Sequence, residues 1–239
     1  MSRIGIVTGM PFERDLVRKA ARDLAWGDAA PLVEASGVGG GDAASITRDM
    51  AEAGVAGIVS LGVAGGLSPA IRTGVLIVPD VVLAVDGRRW ETAPEWRGQL
   101  MKYLTSSSEL AGGAIVSTPK LVSTCDEKVD LREQSGAAAV DMESAGIAAA
   151  ADAASLPFVV LRAISDPADQ GLPPAVAAGL EDGEVKAGRL ALAIAKRPGQ
   201  ILDLIRLGLS TRAARRALAG ACRSAGPMLA FSRPMGQSD

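Results

Sequence analysis

The stretch VDMESAGIAAAADAASLPFVVLRAISDPADQ, residues 140–170, decides the fold. It reads as an apolar strand end, a Glu at the mouth of an Ala-rich helix, a second strand, and an Asp where that strand stops. A strand, a crossover helix of roughly a dozen residues and a second strand make a parallel βαβ unit. In such sheets ligands bind outside the carboxyl ends of the strands. This reading puts Glu143 and Asp166 at two such ends, and they are the first candidates for function.

Composition narrows what those acids can do. A chain of 239 residues suits one α/β domain with a full core. Apolar residues make up 48% and aromatic ones only 3%, a mix of Ala, Val, Leu and Ile that fits buried strands under closely packed helices. A net charge of -2 gives no electrostatic case for nucleic acid. Cys125 and Cys222, far apart in sequence, read as reduced cytosolic thiols. The first residues read as a strand rather than a signal peptide, and no apolar run approaches a membrane span, so a cytoplasmic location is expected. The chain has no His, which excludes Ser-His and Cys-His catalysis and the usual zinc sites. Proton transfer near neutral pH then falls first to carboxylates with shifted pKa. Neither a metal nor an organic cofactor is expected.

Working outward, residues 3–9 form a short apolar strand, followed by a helix to about residue 26. Pro11 fits that helix's first turn, and Glu13 lies near its positive end, as a surface carboxylate or a functional one. A strand at 32–35 leads into SGVGGG, residues 36–41, and a helix at 42–53 capped by Asp42. A Gly-rich turn opening a helix can cradle phosphate or ribose, but this spacing is not the dinucleotide fingerprint. The strand at 55–61 ends in GVAGGL, whose glycines permit close approach to a ligand or a tight turn. Residues 75–85 are apolar with Pro79 inside, which suits an edge or a bulge. A polar segment at 86–96, helices at 94–110 and 126–134, and strands at 114–117 and 137–142 fill the middle. A further helix at 184–196 closes the domain. Residues 198–225 form a basic amphipathic helical extension in two pieces, 200–209 and 211–222. Such helices lie on an anionic membrane surface or pack on the domain or a partner subunit. Residues 226–239 have the Pro, Gly and Ser content of a flexible tail.

Five motifs in order, GIVTGMPFE, SGVGGGDAA, SLGVAGGL, VDMESAGIA and VLRAISDPADQ, resemble the nucleoside phosphorylase and nucleosidase family. That family includes purine nucleoside phosphorylase and methylthioadenosine/S-adenosylhomocysteine nucleosidase. Within it, the compact middle region and basic C-terminal extension are similar to the hopanoid-associated phosphorylase branch. The resemblance implies a three-layer α/β/α fold with a mixed, partly barrel-like sheet, and a catalytic domain over residues 1–197. It implies cleavage of the N-glycosidic bond of an adenosine-type nucleoside, with release of adenine from adenosylhopane by phosphorolysis as the first reading. Inorganic phosphate would be the co-substrate. A hydrolytic nucleosidase is the alternative, and a nucleoside-binding or membrane-associated scaffold is a third. The expected partners are a small nucleoside, free or lipid-linked, and further copies of the chain in a homo-oligomer.

By position, the resemblance implies that Glu143 binds the ribose hydroxyls, with Met142 packed against the sugar. Asp166 would give a proton to purine N7, with Ser165 beside it, and Glu13 would activate the attacking water. Gly65, Leu121, Val122 and Val63 fall where the family lines its substrate pocket. An ionised Glu and a protonated Asp would divide the charge that develops on sugar and purine. The chain also departs from the pattern. Where many family phosphorylases carry an Arg and a Ser, this one has Ser60 and Val63, so Gly9, Arg14, Arg48 or an Arg from a neighbouring subunit are the candidates for phosphate. Leu121 stands where nucleosidases usually place a Phe against adenine. The segment at 86–96 is short where nucleosidases cover the thio-substituent, leaving a mouth open to a bulky 5′ group.

Overall fold

The computed structural model describes residues 3–37, 40–105, 108–173, 180–181, 184–185 and 201–232. Its spine is a pair of parallel strands, β3 (Ile58–Gly66) and β10 (Phe158–Asp166), in register from Phe158 opposite Ile58 to Ile164 opposite Ala64. Every residue of β10 is buried, because helices cover both faces of the sheet. Alternation along the spine sorts side chains to the two sides. Val59, Leu61, Val159 and Leu161 face one core, while Ile58, Phe158, Val160 and Ile164 face the other.

The first core is closed by α1 (Pro11–Asp23), α3 (Pro94–Thr105) and α6 (Ile201–Ala225). The second is closed by α2 (Gly40–Glu52) and α5 (Ser144–Ala153). The result is a three-layer α/β/α arrangement around a mixed sheet. From β3 one branch runs through β1 (Gly5–Thr8) to β2 (Leu32–Ala35), all parallel. The other runs through β9 (Ala139–Asp141) and β8 (Ala114–Ser117) to β5 (Val81–Ala84) and β6 (Arg89–Glu91). Beyond β10 lie β4 (Leu76–Ile77) and β7 (Leu110–Ala111).

The expected parallel βαβ unit at residues 140–170 is corrected by this topology. The two strands, β9 and β10, are not neighbours but flank β3, and β9 runs antiparallel to it. They meet β3 together at one point, where Gly65 lies opposite Val140 on one side and Asp166 on the other. The register of β10 slips between Ile164 and Asp166, a bulge that bends the strand end. A Cβ on Gly65 would lie 3.1 Å from both Asp166 Oδ2 and Val140 Cγ1, so the convergence needs a glycine there.

Three further expectations change near the C-terminus. The helix expected at 184–196 begins instead as a short strand, β12 (Glu184–Val185), paired with β11 (Leu180–Glu181); the rest of that span lies outside the described residues. The two pieces at 200–209 and 211–222 are one continuous helix, α6, because Gly208 sits in the helix without ending it. Nor is α6 an appendage to a domain ending at 197. Ala214, Leu218, Ala221 and Ala225 recur every three to four residues and enter the first core, where small side chains let the helix approach the sheet.

Residues 226–232 likewise are not a flexible tail. Leu229 is buried, and Trp96 on α3 donates its indole N–H to the Leu229 carbonyl at 2.8 Å. Phe231 meets the same indole edge-on at 4.7 Å between ring centres. Trp96 thus anchors the chain end to the domain. Trp96→Ala should cost about 3–5 kcal/mol in a urea unfolding experiment, as for large-to-Ala changes in cores. A loss under about 1 kcal/mol would show that the anchor is dispensable.

Candidate active site

The strand ends around Gly65 open into a pocket. Val63, Ala64 and Gly65 form its floor, and Val140, Asp141, Met142 and Glu143 one side. Ser165 and Asp166 stand opposite, with Leu121 and Val122 from the loop before α4 (Cys125–Ser135). Met10, Phe12 and Leu172 make an apolar remainder, with Thr118 and Thr211 as hydroxyl-bearing neighbours, so α6 contributes to the wall.

Below one side sits a buried guanidinium. Arg162 on β10 is 1% exposed and faces the second core, in register opposite Gly62. Its Nη2 lies 2.8 Å from Asp141 Oδ2 and 3.3 Å from Glu143 Oε2, and donates to Ser60 Oγ at 2.9 Å. The Ser144 hydroxyl, at the first turn of α5, bonds both Asp141 and Ser60. A Cβ on Gly62 would collide with Arg162 Nη1 and come within 2.7 Å of Glu13 Oε1, so only glycine leaves room for the cluster. Burial opposes the Arg162 charge, yet Asp141, Glu143 and Glu13 together outweigh it and hold its pKa above the ordinary value.

Glu13 belongs to this cluster. Its carboxylate accepts the Met10 N–H at 2.9 Å and the Val63 N–H at 2.8 Å, behind the pocket wall that those residues form. Burial raises its pKa above the glutamate range, against the Arg162 charge and the backbone N–H groups. A carboxylate so raised is a better proton acceptor than an exposed one.

On the opposite side Asp166 is held by a different cation. Lys128 Nζ on α4 is 2.7 Å from Asp166 Oδ2, and the Ser165 hydroxyl bonds Oδ1 at 2.6 Å. Burial pushes the Asp166 carboxyl up, while the Lys128 charge and the bonds from Lys128 and Ser165 pull it down. The Ser165 hydroxyl also reaches the Ala64 carbonyl, at 3.3 Å. It can therefore donate to an ionised Asp166, or turn to Ala64 and accept from a protonated one.

Of the residues singled out in the sequence, Glu143, Asp166, Met142, Ser165, Gly65, Leu121, Val122 and Val63 all line one pocket. Glu13 lies just behind its wall, and Gly9 packs under Glu143, where an added Cβ would sit 3.0 Å from the carboxylate. Arg14 and Arg48 are not brought to the pocket. Arg14 is paired with its neighbour Asp15 at 3.1 Å, and Arg48 is exposed on α2. Sequence reasoning missed Arg162, Lys128 and Asp141. A lone Arg inside the apolar run VVLRAIS was a legible signal for the first, whereas Lys128 hides in a charged helix.

Comparison with solved structures returns the same architecture. The chain is similar to a 5′-methylthioadenosine/S-adenosylhomocysteine nucleosidase from Neisseria meningitidis in complex with methylthio-immucillin-A. That likeness has 18% identity over 94% of this chain and 100% of the other, with a TM-score of 0.68. The futalosine hydrolase of Helicobacter pylori matches at 19% identity over 92% and 97%, with a TM-score of 0.67. A Helicobacter pylori nucleosidase mutant with 5′-methylthioadenosine in its active site matches at 20% identity over 92% and 98%, with a TM-score of 0.66. At these identities the likeness shows a shared fold. Comparison with curated proteins gave no match. By sequence, residues 3–197 match the phosphorylase superfamily, and the chain belongs to that family of nucleoside phosphorylases and nucleosidases.

Proposed function

We propose that the protein is an N-glycosidase that hydrolyses the bond between ribose and purine in an adenosine-type nucleoside. The observation that carries this reading is the sign of the pocket. Three acids, Asp141, Glu143 and Asp166, line it, and among the described residues no Lys or Arg does. Arg162 lies behind, already engaged by carboxylates. A phosphate dianion entering such a pocket meets repulsion without a guanidinium fork to receive it. Water meets neither difficulty. Glu13 takes the proton of the attacking water, Glu143 holds the ribose hydroxyls, and the electron pair of the C1′–N9 bond leaves with the purine. Asp166 gives its proton to N7 of the departing base.

The apolar wall of Met10, Phe12 and Leu172 favours an apolar group on the ribose 5′ side, such as the hopane of adenosylhopane. Adenine should therefore be released at the same rate with and without phosphate, and the sugar product should be free. Release that requires phosphate and yields the sugar 1-phosphate would overturn hydrolysis in favour of phosphorolysis.

For a lipid-linked substrate we further propose that α6 lies against an anionic membrane. Arg212, Arg215, Arg216 and Arg223 are all exposed on it, with Leu209 beside them. The sequence holds no acid between Asp203 and Asp239. Thr211 on the same helix lines the pocket, and Arg215 lies 4.9 Å over Phe12, another wall residue. No helix of the described residues is long and apolar enough to cross a membrane, so the contact is at the surface. Replacing Arg212, Arg216 and Arg223 by Gln should weaken sedimentation with phosphatidylserine vesicles by about fivefold per residue at low salt. Cleavage of a soluble nucleoside should be unchanged. Equal vesicle binding by both proteins would remove the membrane from the proposal.

A further inference from the structure

Helix α4 is mostly exposed, with Leu131 half-buried against the core of Val116 and Val140, and Lys128 is the one residue it buries completely. Its neighbour Val129 is 51% exposed, so at these two positions the charge lies inside and the apolar side chain outside. The ammonium makes three short contacts, to Asp166 Oδ2 at 2.7 Å, Pro167 O at 2.8 Å and Gln170 O at 2.8 Å, with Asp166 O at 3.3 Å as a fourth. An ammonium has three N–H donors and no acceptor, and all four neighbours are acceptors.

We infer that Lys128 is a positioning residue for purine release: it occupies Asp166 Oδ2, so that the transferable proton resides on Oδ1, and it stabilises the carboxylate that remains once that proton has gone. The inference rests on the hydrolytic reading above. As the C1′–N9 bond breaks, its electron pair stays on the purine, and the Asp166 proton moves to N7. Asp166 is left ionised in a site where burial disfavours charge. A cation 2.7 Å away offsets that cost. Burial and Lys128 thus act in opposite directions on one carboxyl. Burial raises its pKa toward the protonated form, and the ammonium pulls it back toward release of the proton. Lys128 is the one charged group that acts directly on Asp166 among the described residues. Asp141 and Glu143 share the pocket wall and are paired with Arg162 behind it, where Glu13 also acts on the guanidinium.

Lys128 also ties the loop after β10 to α4, so a structural clamp must be separated from a role in proton transfer. Two substrates do this: methylthioadenosine, whose base must be protonated to leave, and a nitrophenyl riboside, whose phenolate leaves without a proton. Lys128→Met should lower kcat on methylthioadenosine by about 100-fold, the lower range for loss of general-acid catalysis, with KM within about threefold. The same variant should lose no more than about threefold on the nitrophenyl riboside, because that step needs no acid. Without Lys128 the Asp166 pKa rises, and since the protonated form is active, the alkaline limb of kcat/KM should move to higher pH. Lys128→Gln, which can still bond the loop carbonyls, should show the same selective loss, and Lys128→Arg should restore part of it. Equal losses on both substrates, or an unmoved alkaline limb, would overturn the inference. Failure of the hydrolytic reading looks different, because the unmodified protein would then release no adenine without phosphate.

Discussion

A guanidinium that is 1% exposed must be neutralised where it stands, and in this chain the neutralisation of Arg162 builds half of the site. Removing one partner from a buried ion cluster typically costs 3–5 kcal/mol, so the partners are fixed by stability as well as by function. Asp141 comes from the end of β9, Glu143 from the mouth of α5, and Glu13 from the first turn of α1. Ser60 and Ser144 supply the remaining acceptors, and Gly62 supplies the empty volume. The β9–α5 junction and the distant α1 are thereby tied to one side chain on the central strand.

The same constraint explains which parts of the site could be read from the chain. Glu143 and Asp166 were visible because each stands where a regular pattern stops, one before an Ala-rich helix and the other before Pro167. The rule that brought them together, strand ends of a parallel unit, was right for Asp166 and wrong for Glu143. Glu143 arrives by an antiparallel strand on the other side of β3. Pairing of that kind is decided by tertiary contacts at Gly65 and Gly66, which alternation along a single strand does not encode. Lys128 was invisible for a different reason. A charged helix reads as a solvated one, and which way it is turned depends on carbonyls contributed by the loop about forty residues later. At the C-terminus, the two amphipathic pieces and the Pro, Gly and Ser content after Gly226 argued for a break and a loose end. The contacts of Ala214, Leu218 and Leu229 with the core override both.

The proposed chemistry draws on the fact that the two cations serve opposite poles of one pocket. Around Arg162 there are more carboxylates than positive charges, so that pole is negative or, with Glu13 protonated, less so. Around Lys128 the balance reverses, because a protonated Asp166 leaves the ammonium uncompensated. Breaking an N-glycosidic bond places positive charge on the sugar and negative charge on the base. A sugar beside Glu143 and a base beside Asp166 would lie along that field, with the charges already oriented before the reaction begins. The same field discriminates between nucleophiles. Two like charges 4 Å apart repel by about 4 kcal/mol at an effective dielectric near 20, so each ionised carboxylate near an incoming phosphate weighs against it. A neutral water pays no such penalty, and in the proposed reaction Glu13, behind the wall at Val63, takes its proton.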